Sequence, residues 1–329
     1  MKGARPGPHA RRGSLTGAPS PEPGPAERVT ARPIAVDDVG EHNRQMWERL
    51  AEAGIPYTRP IGKPPRDGRG KRRFLDELTR GRLRGVKLEG KRVLSLAGGG
   101  GWDAVLFAEL GATTTLFDIS KRQLTTVRAL ARERGTKLRF VQGDMRDLSA
   151  FADAEFDIVK HHHSMVFVPD AARVIGEVAR VLAPGGIYVF STMHPVALRM
   201  QETWTGTGWG FKQRYFDDGA IPFDDAVWEF GKVKVEAPTL EYGHRTSDLV
   251  NACANKGLLV DGLWEYSPSY EGGEPGSADE LERQLPAYLE IRARRVALGS
   301  RRAALGAHGA AKRVGGARRS TRRTAKRSR

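Results

Sequence analysis

The chain has 329 residues, enough for one large domain or two smaller ones, and a formal net charge of +15. The positive charge lies in the two ends: residues 1–33 carry a net charge of +4 and residues 300–329 a net charge of +11, which leaves the segment between them neutral. A neutral body does not favour a nucleic-acid-binding domain, and the single cysteine, Cys253, excludes an intrachain disulfide and is expected to be a small buried side chain.

Both ends of the chain have the composition of disordered segments. Residues 1–36 form an arm rich in proline and glycine, and residues 297–329 form a tail of arginine, alanine, glycine and serine. Such a tail can bind nucleic acid by releasing counterions, but a like-charge run is commonly solvated, so we do not favour a nucleic-acid partner. No stretch reaches the roughly 20 apolar residues of a membrane span, and we expect a cytoplasmic protein. The sequence leaves the oligomeric state open.

The first ordered elements are predicted to be two helices. Asp37 and Asp38 can cap the first of them. A basic connector rich in proline and glycine, at 59–73, separates it from a second helix at 74–83. We predict that residues 37–85 form an N-terminal helical cap.

The most informative stretch follows at 92–112, RVLSLAGGGGWDAVLFAELGA. It indicates a short buried strand, a turn of four glycines and an amphipathic helix. The glycines, Gly98–Gly101, remove every Cβ at the turn and leave the backbone N–H groups bare. This arrangement is typical of loops that hold nucleotide-like ligands in α/β proteins.

Strands and helices then alternate, which predicts a doubly wound, mostly parallel α/β sheet. Predicted strands after the first lie at 113–117, 137–141, 156–160, 186–191, 258–266 and 287–293, seven in all. Predicted helices lie at 121–134, capped by Ser120, and at 170–182 and 246–256. We assign residues 86–296 to this domain.

An irregular insertion at about 194–245 interrupts the alternation and is predicted to be a lid or substrate loop. Its aromatic residues are Trp204, Trp209, Phe211, Tyr215, Phe216, Phe223, Trp228 and Phe230. They can line an apolar pocket, surround a cation or form the core of the insertion itself, and the sequence does not decide between these roles.

Two cofactor classes fit the glycine turn. Gly99, Gly101 and Ala104 match the dinucleotide pattern G-x-G-x-x-A, and Asp118 lies near the expected distance downstream. An NAD(P)-dependent oxidoreductase is therefore an alternative. The same residues fit an S-adenosylmethionine loop, in which the acid at the end of the second strand binds the ribose hydroxyls.

The downstream order favours S-adenosylmethionine. GDMRDL follows the third strand, FDIVKHHHSMVFVPD contains the fourth, RVLAPGGIYVF contains the fifth, and a helix and a closing hairpin end the domain. Over about residues 40–295 this order resembles the class I S-adenosylmethionine-dependent methyltransferases. The resemblance is to the small-molecule, methyltransferase type 11 branch that includes quinone-biosynthesis enzymes. It implies a Rossmann-like methyltransferase fold closed by an antiparallel C-terminal hairpin strand.

The resemblance also implies site residues and a reaction. The cofactor residues that it assigns are Ala97, Gly98, Gly99, Gly101, Asp118, Ile119, Asp144, Met145 and His161. The chain departs from the family pattern Asp-x-Gly-x-Gly-x-Gly, because Ser95 replaces the acid and Ala97 the first glycine. The implied reaction is methyl transfer from S-adenosylmethionine to an O-, N- or C-nucleophile of a small molecule.

Three histidines are candidates for a substrate-side base, which is optional in methyl transfer. His163 follows the fourth strand, next to the expected position of the transferable methyl group, and His194 and His244 flank the insertion. We expect no metal, because adjacent histidines of a strand cannot all face one ion. The base-amino methylation motif Asn/Asp-Pro-Pro-aromatic is replaced after the fourth strand by His161–Ser164.

Overall fold

The computed structural model describes residues 36–201, 203–223, 227–230, 232–268 and 273–296. The predicted basic tail, and all of the predicted arm except its last residue, lie outside the described residues. Among the described helices, none has the length and apolarity that crossing a membrane requires.

The described residues contain nine strands. These are β1 (Arg92–Leu96), β2 (Thr113–Asp118), β3 (Arg139–Gln142), β4 (Phe156–His161), β5 (Leu182–Met193), β6 (Val227–Phe230), β7 (Val233–Glu236), β8 (Leu258–Tyr266) and β9 (Tyr288–Arg295). Seven of them form one sheet in the order β3-β2-β1-β4-β5-β9-β8, and β6 and β7 pair as a separate hairpin. Strands β1 to β5 are parallel, and β9 is antiparallel to both β5 and β8. The predicted fold class is confirmed.

Helices cover both faces and the carboxyl edge of the sheet. They are α1 (Val36–Glu52), α2 (Gly68–Leu78), α3 (Asp103–Glu109), α4 (Lys121–Arg134), α5 (Ala171–Val181), α6 (Pro195–Met200), α7 (Thr246–Asn255) and α8 (Ala278–Gln284), with short 3-10 turns at Pro56–Thr58 and Met165–Phe167. Ser120 caps α4 as predicted, because its hydroxyl accepts a hydrogen bond from the Gln123 N–H at 3.2 Å.

The two faces of the sheet bury separate apolar clusters, because successive strand residues point to opposite faces. Val93 of β1 packs with α3 and α4, whereas its neighbour Leu94 packs with α5 and α7. A third cluster joins α1 to the chain after β5 through Leu50, Leu198 and Trp228. This third cluster holds α1 and the insertion beside the carboxyl ends of the strands.

The second helix begins earlier than the sequence predicts. The structure has α2 at Gly68–Leu78 rather than at 74–83, because Oδ1 of Asp67 accepts a hydrogen bond from the Gly70 N–H at 2.7 Å and caps the helix. The cap lies inside the run that we expected to be a connector. The first turns are charged and show no apolar period, and Leu75 is the residue that anchors the helix in the core.

Three other local predictions are wrong. Asp37 and Asp38 lie in the first turn of α1 rather than capping it. The segment before β9, for which we predicted no helix, contains α8, capped by the Ser277 hydroxyl at 3.2 Å from the Glu280 N–H. The insertion at 194–245 is not wholly irregular, because it contains α6 and the β6–β7 hairpin.

Cys253 lies in α7 and is fully buried, as predicted for a small apolar side chain. Burial raises the pKa of its thiol to about 12. The thiolate form is therefore suppressed near neutral pH, which is the property of a packed cysteine and not of a nucleophile.

The cap of α5 provides a test of local stability. Oδ1 of the exposed Asp170 accepts a hydrogen bond from the Arg173 N–H at 2.9 Å. We expect Asp170→Ala to lower the free energy of unfolding by about 1 kcal/mol, and Asp170→Asn, which retains the acceptor, to lower it by less than about 0.5 kcal/mol. Urea unfolding of both variants measures the difference, and equal stability of the two would contradict the assigned cap.

Candidate functional site

A cavity of about 1290 Å³ opens at the carboxyl ends of the parallel strands, where open α/β sheets bind their ligands. The loops after β1 to β4 supply one side of its wall. Those residues are Ala97, Gly98, Gly99, Gly101, Asp118, Ile119, Gly143, Asp144, Met145, His162, His163 and Ser164. The structure thus brings together every residue that we assigned to the cofactor except His161.

The glycine turn is held by the acid at the end of β2. Oδ2 of Asp118 accepts a hydrogen bond from the Gly99 N–H at 2.9 Å, and its Oδ1 accepts one from the Ser120 N–H at 2.8 Å. Ala97 and Gly99 both adopt positive φ, +47° and +56°. The left-handed conformation is costly for alanine, and strain of this kind concentrates at functional loops.

Two of the four glycines are required by close approach. A Cβ on Gly98 would overlap the Ser95 hydroxyl and lie 2.5 Å from a methyl carbon of Leu116. A Cβ on Gly100 would overlap the carbonyl group of Thr58 and lie 2.7 Å from the backbone nitrogen of Arg59. The segment between α1 and α2 therefore packs directly on the turn, a role for Gly100 that the dinucleotide pattern does not contain.

Burial raises the pKa of Asp118 to about 6, although its two backbone hydrogen bonds oppose the shift. The His162 imidazole also lowers this pKa, and the carboxylate of Glu48 raises it. The side chain is only 4% exposed, yet it lines the cavity. An ionised carboxylate in this position is a strong acceptor for hydroxyl groups of a ligand.

The third loop is covered by α1. Asp144 accepts hydrogen bonds from the backbone N–H of Arg146 at 2.9 Å and from its guanidinium at 2.9 to 3.0 Å. A Cβ on Gly40 would overlap this ion pair, so the backbone of α1 passes directly over the pair at a glycine. Met145 lies beside the pair and contributes its apolar side chain to the same wall.

Position 95 lacks the acid of the family pattern, but the carboxylate of Asp103, at the start of α3, lies beside Ser95. The Ser95 side chain faces α3, where its hydroxyl lies 3.3 Å from Oδ2 of the buried Asp103. His162 bonds to the same carboxylate oxygen. Burial raises the pKa of Asp103, but the His162 imidazole and the Lys160 ammonium lower it, and the net pKa is below the ordinary value. The sequence did not single out His162 from the three adjacent histidines after β4, and it did not identify Asp103. The signal for Asp103 was an acid at the start of the helix that follows a strand without one.

A second side of the cavity is lined by aromatic and charged residues of β4, β8 and β9, together with His163 after β4. Tyr266 and Tyr288 stack with ring centroids 5.1 Å apart, and His163 meets Tyr288 edge-on at 4.4 Å. Lys160 and Glu290 are both buried, with their charged atoms 4.0 Å apart. This side is therefore a mixed aromatic and charged surface.

The insertion and α8 line a third side of the cavity, and α1 also contributes residues to its wall. Trp204 and Trp209 contact each other at a centroid distance of 5.4 Å, and the Trp209 indole donates a hydrogen bond to Glu280 of α8 at 2.8 Å. Both tryptophans and Trp228 line the cavity, whereas Phe216 is 77% exposed. Trp228 also belongs to the third apolar cluster, against which Phe223 and Phe230 pack, so the aromatic residues divide among the cavity wall, the core and the protein surface.

Three predicted site histidines lie outside the cavity wall. Both ring nitrogens of His161 are bonded, to the Tyr188 hydroxyl at 2.9 Å and the Ser164 hydroxyl at 2.8 Å, and burial lowers its pKa to about 3. His194 bonds to a carboxylate of β8, and His244 bonds to two carbonyl groups of the chain after β4. Only His163, of the predicted catalytic candidates, lines the cavity.

Comparison with known families gives a match to the methyltransferase domain over residues 94–190. The match runs from β1 to β5, and so includes the glycine turn, Asp118, Asp144 and the loop after β4. It covers the part of the chain whose loops after β1 to β4 form one side of the cavity wall.

Two relatives illustrate the likeness at the sequence level. The uncharacterized methyltransferase YbaJ of Bacillus subtilis is 28% identical over 237 residues, which are 68% of this chain and 89% of that protein. A ubiquinone biosynthesis O-methyltransferase of Vibrio parahaemolyticus is 38% identical over 107 residues, 32% of this chain and 46% of that protein. The chain therefore spans most of the first relative and about half of the second.

Solved structures show the same architecture. An S-adenosylmethionine dependent methyltransferase of Mesorhizobium loti is 27% identical and matches 64% of this chain and 93% of its own, with a TM-score of 0.50. An S-adenosylmethionine-dependent methyltransferase of Clostridium acetobutylicum, at 15% identity, matches 77% of this chain and 97% of its own, also with a TM-score of 0.50, and shows likeness of fold alone.

Proposed function

Because the chain belongs to the class I S-adenosylmethionine-dependent methyltransferases, we propose that it methylates a small molecule that binds in the aromatic half of the cavity. S-adenosylmethionine is its cofactor. The family and the relatives are methyltransferases, so the nicotinamide-dependent alternative has no support.

The residues of the first wall fit this cofactor. Gly98, Gly99 and Gly101 of the turn line the cavity with backbone that carries no Cβ atoms, and Asp118 offers the carboxylate for the ribose hydroxyls. Met145 offers an apolar surface for the adenine ring. When bound, the cofactor supplies an electrophilic methyl group on sulfur.

The observation that carries the proposal is the set of aromatic and charged residues that lines one half of the cavity. Trp204, Trp209 and Trp228 lie on the insertion side, and the stacked pair Tyr266 and Tyr288 lies on the side of the sheet. A pocket of this volume lined by aromatic side chains suits a small, partly apolar acceptor. The neutral charge of residues 34–299 supports the same conclusion over a nucleic-acid acceptor.

The protein contributes to the reaction chiefly by holding the acceptor in line with the methyl group. Such positioning is worth up to about 7–11 kcal/mol in favourable intramolecular reactions. The cavity is suited to this, because the glycine turn and the loop after β4 lie on the same wall. A base that removes a proton from the acceptor adds to the rate where the nucleophile carries one.

The test is the fate of a labelled methyl group. The full chain is incubated with S-adenosylmethionine carrying a deuterated methyl group and with cell extract separated into small-molecule, RNA, DNA and protein fractions. We expect the label to enter the small-molecule fraction only, in amounts that the Asp118→Asn variant does not reproduce. Label in nucleic acid or protein, dependent on the intact site, would contradict the proposal.

A truncated chain that ends at residue 296 provides the second arm of this experiment. Under the proposal, removal of 297–329 leaves the labelling of the small-molecule fraction unchanged within about twofold. A nucleic-acid-associated enzyme that depends on the basic tail would instead label the RNA or DNA fraction and lose that labelling when truncated, because the tail carries most of the net positive charge.

A further inference from the structure

A histidine–aspartate pair joins the cofactor wall to the end of β4. Nε2 of His162 bonds to Oδ2 of Asp103. The side chain of Asp103 is 2% exposed, whereas that of His162 is 34% exposed and lines the cavity. A buried acid thus holds an accessible base at the carboxyl end of β4, in the wall of the cavity.

The hydrogen bond determines which nitrogen of the imidazole can react. An ionised Asp103 accepts a hydrogen bond from the Nε2–H group of His162, so the neutral ring carries its lone pair on Nδ1. Within the described part of the chain, Nδ1 makes no hydrogen bond. Two further charged groups interact electrostatically with the pair: Lys160 acts on Asp103, and Asp118 interacts with His162. Asp103 is the acid in direct contact with His162.

We propose that His162 is the general base of the methyl transfer and that Asp103 positions it, an inference that rests on the proposed function. Nδ1 of His162 takes the proton from a hydroxyl or amine of the acceptor while the acceptor lone pair forms the bond to the methyl carbon. The carbon–sulfur bond breaks with its electron pair on sulfur, which leaves S-adenosylhomocysteine. Asp103 stabilises the imidazolium that results.

The neighbouring histidines do not offer the same chemistry. Both nitrogens of His161 are occupied, and it lies outside the cavity wall. His163 stands edge-on against Tyr288, where it can shape the acceptor pocket. The pair therefore narrows the acceptor to a nucleophile that must lose a proton, and the O-methyltransferase relative from Vibrio is consistent with a hydroxyl group.

The first test is spectroscopic and needs no acceptor. In the full chain saturated with S-adenosylhomocysteine and labelled with ¹⁵N-histidine, we expect His162 to carry its proton on Nε2. In Asp103→Asn the side-chain amide donates to Nε2, and the proton is expected to move to Nδ1. An unchanged tautomer in the variant would overturn the role of Asp103.

The second test is kinetic, with the acceptor that the labelling experiment recovers. We expect His162→Gln to lower kcat by 10²- to 10⁴-fold and to keep the affinity for S-adenosylhomocysteine within threefold. In His162→Gln the rate is expected to keep rising at pH values where the wild-type rate has levelled. Without the base, the acceptor must lose its proton to solvent before it reacts. His163→Gln is the matched control, and we expect its pH profile to level as in the wild type.

Two results would overturn the proposal that His162 is the base. One is a wild-type pH profile in His162→Gln, which would leave the pair only the role of joining two loops. The other is a loss of the plateau in His163→Gln instead. If no acceptor is labelled, the proposed function fails, whereas the tautomer measurement still decides whether Asp103 orients His162.

Discussion

Asp118→Asn is expected to weaken S-adenosylhomocysteine binding by about 100-fold or more at pH 7.5. The wild-type carboxylate can accept hydrogen bonds from two ribose hydroxyls, and a hydrogen bond to a charged group contributes about 1.5–3 kcal/mol. Asparagine has nearly the same shape, but it must present its NH₂ group to one of two backbone donors, the N–H of Gly99 or that of Ser120. The substitution therefore disturbs the glycine turn as well as the ligand contact.

Isothermal titration calorimetry measures the effect, with circular dichroism as a check that the variant is folded. Asp153→Asn is the matched control, because Asp153 is 78% exposed and precedes β4, on the edge of the sheet away from the cavity. The control is expected to bind like the wild type. Wild-type affinity in Asp118→Asn would refute the assignment of Asp118 to the ribose.

The raised pKa of Asp118 makes the same contact depend on pH. Only the carboxylate form accepts from both hydroxyls, so affinity is expected to be constant above about pH 7 and to fall about tenfold between pH 7 and pH 5, through the pKa of about 6. The free energy of unfolding depends on pH in the opposite sense. Ionising a carboxyl whose pKa is raised costs stability, so this group disfavours the folded state progressively from about pH 4 to pH 6. Asp118→Asn should remove this part of the pH dependence of binding.

The architecture could be predicted from the sequence because its signals are local. Apolar runs bounded by glycine marked β1 and β5, and the cap at Ser120 marked the start of α4. Asp118 was identified for a related reason, since the acid at the end of the second strand has a fixed place relative to the glycine turn. Such signals lie within some 20 residues of each other.

The missed features depend on contacts between distant segments. Asp103 replaces the missing acid at Ser95 only because β1 and α3 fold against each other, and it becomes a positioning residue only through His162, 59 residues away. Periodicity carries no information about such pairs. The β6–β7 hairpin was missed because its two four-residue strands pair with each other and with no part of the main sheet.

Gly100→Ala is expected to displace the segment between α1 and α2. The new Cβ would overlap the Thr58 carbonyl group and lie 2.7 Å from the Arg59 nitrogen, and these are backbone atoms that no change of rotamer can move. Overpacking of this kind costs about 1–3 kcal/mol of folding free energy. Because the displaced segment covers the glycine turn, we also expect S-adenosylhomocysteine affinity to fall at least tenfold.

Gly68→Ala is the matched control for this substitution. Gly68 begins α2, and a Cβ there would meet no atom within 4 Å, so alanine is expected to stabilise the fold by about 0.4–1 kcal/mol and to leave binding unchanged. Urea unfolding and calorimetry on both variants distinguish the steric overlap at Gly100 from the general effect of replacing a glycine by alanine. Wild-type stability and affinity in Gly100→Ala would show that Thr58 and Arg59 do not rest on the turn. The expected losses would instead show that Gly100, the third glycine of the turn, is needed to admit this N-terminal segment.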